Sequence, residues 1–162
     1  MKGAKSRSIS VVAILAAFVT VMFAGGAVMA EEPMVKGLTV KVEIFSGRPN
    51  PSFDLLNPDV INVVKAGLVG LPNASVTAEE ERVFSKLGYR GIIVTNHGIE
   101  GIPEEVQILG GKVKVFGAEG AADRYFEDAT RLERLLLGKA KAKGLLTELL
   151  ETGLVPDPDG LP

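Results

Sequence analysis

The chain has no cysteine and a single histidine among its 162 residues. Without cysteine there is no disulfide, thiolate metal site, thiol nucleophile, lipid anchor on a leader cysteine or Cys-x-x-Cys-His haem attachment. With His97 as the only imidazole, a zinc site would need at least two carboxylates beside it, and no spacing brings such a set together. No glycine-rich phosphate loop, G-x-S-x-G elbow or H-E-x-x-H helix occurs. Asp157-Pro-Asp159-Gly160 lacks the third ligand and the distal glutamate of a calcium loop. No metal and no cofactor are therefore expected. Asn73-Ala-Ser75 is a formal glycosylation acceptor, and Lys139, Lys141 and Lys143 read as a solvated stretch.

What is present at the start is a graded leader. Lys2, Lys5 and Arg7 precede an apolar run from Ile9 to Phe23, and small residues lead to Val28-Met29-Ala30. That order predicts a secretory signal peptide over residues 1–30, cut within 26–30, and hence export to a periplasmic or extracellular space. Its rival is an uncleaved anchor over Ile9 to Ala30, which is long enough to span a bilayer. Removing the leader takes three of the 18 basic residues and none of the 20 acidic ones, leaving a net charge of −5. Such a surface has no general attraction for nucleic acid or anionic lipid. Membrane contact is expected only through a retained leader.

Beyond the leader, Leu38, Val40, Val42 and Ile44 alternate with Thr39, Lys41 and Glu43, which predicts a half-buried strand over 38–45. Asn57-Pro58-Asp59 reads as the cap and first turn of an apolar helix, and Thr77 to Glu80 as a second helix start carried on by Val83, Phe84 and Leu87. Gly91 to Thr95 is a short apolar run suited to an interior strand. Residues 105–116 form a hairpin around Gly110-Gly111, with Val106 opposite Val115 and Ile108 opposite Val113. The last third is helical by its three- and four-residue apolar steps from Phe126 to Leu150, broken near Gly138 and Gly144. The expected fold is α+β: a mostly antiparallel sheet of about four strands with helices on one face, a single domain over 31–155, and a flexible polar tail over 156–162. A parallel pairing of the first strand with 92–94 is the alternative.

The candidate site is the stretch from Phe45 to Phe53. Pro49 and Pro51 fix their own φ and hold Arg48 and Asn50 extended, so the loop is stiff. A stiff loop loses little entropy on binding. Arg48 offers a planar fork for a carboxylate, phosphate or sulfated sugar, Asn50 and Ser52 add polar contacts, and Phe45 adds an aromatic surface. The turn at Asn96 and His97 is expected beside it. The same residues also suit a purely structural role, with Asn50 closing a turn and the prolines steering the chain. The leading expectation is a non-enzymatic module that binds a small ligand or a protein through 48–53. The alternatives are a hydrolase-type enzyme pairing His97 with an acid such as Asp54, and an inhibitor offering the Arg48 to Phe53 segment to a protease.

Overall fold

The computed structural model describes residues 35–45, 47, 49–77, 81–82, 88–117 and 121–161. The chain divides after Pro33 into two units, and the described residues all belong to the second. The expected leader, Arg48, the side chain of Phe45 and most of the 77–87 segment lie outside the described residues.

Six strands form one antiparallel sheet: β1 (Gly37–Phe45), β2 (Ser52–Leu55), β3 (Gly88–His97), β4 (Glu105–Leu109), β5 (Lys112–Val115) and β6 (Arg124–Phe126), in the order β2-β1-β3-β4-β5-β6. Helix α1 (Pro58–Leu68) follows β2, and α2 (Thr130–Ala142) and α3 (Thr147–Glu151) follow β6. The fold is α+β as expected, but six strands replace the expected four. The four-residue β2 was hidden in the proline-rich stretch, where Phe53 and Leu55 are the only alternating apolar pair. The three-residue β6 holds Phe126, assigned by periodicity to the helix. The left-handed Asp128, at φ 67°, turns the chain between Phe126 and the helix start at Thr130. The parallel alternative is overturned as well. β1 runs antiparallel to β3, with Gly37 opposite His97 and Phe45 opposite Gly88.

Other local expectations hold. Asn57 caps α1, accepting from the N–H groups of Asp59 and Val60 at 2.9 and 3.3 Å, with Pro58 in the first turn. The β4–β5 register places Val106 against Val115 and Ile108 against Val113 around Gly110 and Gly111, both at positive φ. α2 runs through Gly138 and ends before Gly144, so two helices occur in sequence rather than one kinked rod.

The inward residues of the strands, from Leu38, Val40 and Val42 to Ile92, Val94, Val106, Ile108 and Val113, share one core with Ile61 and Val64 of α1 and Leu132, Leu136, Leu137 and Ala140 of α2. The last described residues, 156–161, carry one further short element. Pro158 is buried within a 3-10 turn, Pro158–Gly160. Lys141 holds this turn, its Nζ 2.8 Å from Asp157 and 2.6 Å from Asp159. The contact with Asp157, then that with Asp159, keeps the ammonium above its ordinary value, and Lys141 in turn holds Asp157 below the usual carboxylate range. The lysine supplies the cation that the two aspartates would otherwise solicit.

Candidate functional site

The alternation that buries Leu38 and Val40 sends Thr39, Lys41 and Glu43 to the other face of the sheet, where the antiparallel register aligns them in rows. One row runs Ser52, Lys41, Ile93, Gln107, Lys114 and Tyr125. The next runs Asp54, Thr39, Thr95 and Glu105, with His97 diagonal to Thr39. On the β5–β6 side this face is already engaged. Lys114 lies 2.8 Å from Asp123 and 3.7 Å from Glu81, and the Tyr125 hydroxyl donates to Glu81 at 2.9 Å. Burial alone would push the Lys114 ammonium down, but Asp123 and Tyr125 outweigh it and keep it above its ordinary value.

On the β2–β1 side the face is open. The Thr39 hydroxyl donates to Asp54 Oδ1 at 2.8 Å and lies 2.9 Å from His97 Nε2. A hydroxyl has one proton and a carboxylate only accepts, so that proton points to Asp54 and His97 must present Nε2–H to the hydroxyl oxygen. His97 Nδ1 and Asp54 Oδ2 are left without a partner among the described residues. The three side chains border a cavity of about 350 Å³ that is also lined by Val35 and Leu56. Those two are large apolar side chains left 71 % and 56 % exposed. A polar row under an apolar rim suits a ligand with a hydrogen-bonding or cationic end and a short apolar body.

The geometry does not suit hydroxyl catalysis. In a nucleophile–base pair the imidazole accepts the hydroxyl proton and the acid orients the imidazole. Here the acid sits on the hydroxyl and the imidazole donates to it. The main-chain N–H of Thr39 is also spent, since Thr39 and Thr95 face each other as a bonded pair in the ladder. Thr39 itself thus has no free main-chain N–H to offer an oxyanion. Among the described residues no group of three metal-ligating side chains occurs, and no helix is long and apolar enough to cross a membrane.

Of the residues singled out by sequence, His97 and Asp54 meet across Thr39, whereas the proline-rich stretch and the Asn96–His97 turn do not come together. His97 pairs with Gly37 at one end of β1, and Pro49, Asn50 and Pro51 come after Phe45 at the other. At roughly 3.3 Å per residue these ends are about 26 Å apart. Asn96 spends its side chain on its own turn, donating to the carbonyls of Ile99 and Ile102 and accepting from Ile99 N–H. Asn50 Oδ1 accepts from Ile44 N–H at 2.9 Å, and Pro51 O accepts from Val42 N–H at 2.9 Å, so the stiff loop closes the β1–β2 hairpin. Ser52 lies on the open face opposite Lys41, two residues from Asp54. Arg48 lies outside the described residues. Asn50→Ala should therefore act on stability, leaving Ile44 N–H unpaired at a cost of about 1–2 kcal/mol, read as a lower denaturant midpoint with unchanged m-value.

Sequence reasoning missed Thr39, Val35 and Leu56. The polar face of β1 was legible, but the facing of Thr39 and Asp54 depends on β2 being a strand. Set against family models, curated proteins and solved structures, the chain finds no match in any of the three.

Proposed function

We propose that this chain is an exported, non-enzymatic binding module whose ligand seats in the Asp54–Thr39–His97 cleft. The observation that carries this reading is that Asp54 and His97, joined through Thr39, each keep one polar atom without a partner among the described residues, in a cavity also lined by the exposed Val35 and Leu56. A ligand matching them has an amine or other strong donor for Asp54, an acceptor or donor for His97 and a compact apolar portion. Export rests on the basic, apolar and small-residue order of the leader. Arg48, before Pro49 in the sequence, is kept as a second contact for an anionic group.

The hydrolase reading has one supporting observation, the reach between His97 and the Thr39 hydroxyl, and the direction of the hydrogen bonds counts against it. The inhibitor reading rests on Arg48 alone.

The test uses n-butylamine and butyrate as probes, followed by amide chemical shifts. The amine should give saturable shifts at Thr39, Asp54 and His97, and butyrate should not. Asp54→Asn should weaken amine binding about tenfold, the usual worth of one charge-assisted hydrogen bond. Equal response to both probes, or shifts confined to other surfaces, would reject the cleft. Turnover of a p-nitrophenyl ester abolished by His97→Ala would move the reading to the hydrolase.

A further inference from the structure

We propose that the outer edge of β2 accepts an extended segment of a partner protein as a seventh strand, with a lysine or arginine of that segment facing Asp54. Val42 N–H donates to Pro51 O, and the register pairs Val40 with Phe53 and Leu38 with Leu55. In an antiparallel pair the bonded and non-bonded positions alternate, so residues 51, 53 and 55 turn their main-chain groups toward β1. Ser52 and Asp54 turn theirs outward. Among the described residues nothing meets these two N–H and two C=O groups.

The opposite edge of the sheet is closed. Asn73 bridges Phe126, Ala74 N–H donates to Tyr125 O and Glu127 N–H donates to Pro72 O, so β6 is covered by the chain itself. Among the described residues, the β2 edge is the one left as a template. Its four-residue length and the flanking Pro49, Pro51 and Pro58 are the devices that stop open-ended stacking of sheets. They leave the four outward groups intact, enough to align one short strand.

Side chains specify the occupant. A residue added opposite Asp54 has its Cβ about 5 Å away on the same face. Asp54 Oδ1 is taken by Thr39 and Oδ2 is not, so a cation there gains a charge-assisted bond and an acid is repelled. Two residues further along, the added segment passes the exposed Leu56, where an apolar side chain is covered. A second copy fits worse. The residues it would bring opposite Asp54 are Ser52, Asp54 or Leu56, none of them cationic, and two copies of a chain of net charge −2 repel.

The choice of a basic residue rests on the cleft reading, through Asp54; the main-chain pairing does not. The probe is the capped heptapeptide Ser-Leu-Thr-Lys-Thr-Leu-Ser, which sets a leucine against Leu56 in either strand direction, compared with the same peptide carrying Glu for Lys and with one N-methylated at alternate residues. The lysine peptide should slow hydrogen exchange at the Ser52 and Asp54 amides and bind at least tenfold tighter than the glutamate peptide. Asp54→Asn should bring the two within about twofold, and the N-methylated peptide should not bind. Ser52→Pro, which removes an outward N–H and no ladder bond, should lose the peptide and keep the n-butylamine response. If the amine response is absent while the peptide still slows Ser52 exchange, the cleft reading fails and strand addition stands. Equal binding of the N-methylated peptide, slow exchange at Ser52 in the free monomer, or a dimer abolished by Ser52→Pro would each overturn the proposal.

Discussion

Gly91→Ala is expected to destabilise the domain by about 4 kcal/mol and to lower its melting temperature by roughly 10–20 °C, a large share of the stability of a domain of this size. Gly91 stands in the middle of β3 at φ 95°. The register against β1 changes there, from Val42 opposite Ile92 to Ile44 opposite Tyr89, so β3 carries one more residue than its partner. This is a β-bulge, and a glycine at positive φ is its usual means. The carbonyl of Arg90 is met by Gln107 Nε2 at 2.8 Å, which explains a buried amide on the polar face. A Cβ on Gly91 would overlap the carbonyl oxygen of Ile108 and come within 2.9 Å of Leu109 Cβ. Those atoms belong to the neighbouring strand and cannot swing aside as a flexible side chain does. Gly88→Ala is the control: φ is 96°, yet nothing lies within 4 Å, so it should cost only the left-handed conformation, about 1 kcal/mol. Equal losses in the two variants would show that the strand relaxes around the clash.

The contrast between what was and was not legible has a physical basis in how far apart in sequence the specifying residues lie. β1, the β4–β5 hairpin and the Asn57 cap are specified by residues a few positions apart, and sequence reads such local signals well. β2 and β6 exist because longer neighbours offer them free main-chain groups, and three or four residues cannot carry that signal alone. The candidate cleft fails to be legible for the same reason. Asp54, Thr39 and His97 are 15 and 58 residues apart in paired distance and meet only through register. Suspecting His97 beside Asp54 was sound chemistry, but Thr39 between them reverses the direction of the proton, and no spacing rule reveals that. Asn50 and Asn96 show the opposite case, where polar loop residues that looked available are spent on their own turns.

Glu133→Ala should be nearly as damaging as the Gly91 change, costing about 3–5 kcal/mol, because it strips the buried Gly111 N–H and the half-buried Tyr89 hydroxyl of the partner they share among the described residues. Glu133 interrupts the apolar stripe of α2 formed by Ala129, Leu132, Leu136, Leu137 and Ala140, and it is 2 % exposed. Its Oε1 accepts from the Tyr89 hydroxyl at 2.8 Å and its Oε2 from Gly111 N–H at 2.9 Å. One carboxylate in the first turn of α2, where the helix dipole favours negative charge, thus ties the helix to the start of β3 and to the β4–β5 turn. Glu133→Gln keeps one acceptor and offers an amide to the hydroxyl, so it should lose about half as much. Burial first, and the adjoining carboxylate second, push the Tyr89 hydroxyl far above its ordinary 10.0. The unfolded chain therefore releases this proton above pH 10 while the folded chain retains it, so stability is whole below that pH and falls as pH rises beyond it. Tyr89→Phe should reduce that alkaline slope, leaving the part that comes from Lys114, Tyr125 and Lys141, which are also held above their ordinary values. Chemical denaturation of the four proteins at pH 7 and pH 11 reads both effects, and a Glu133→Ala loss below about 1 kcal/mol would mean that water reaches Gly111 N–H and Tyr89 once the carboxylate is gone.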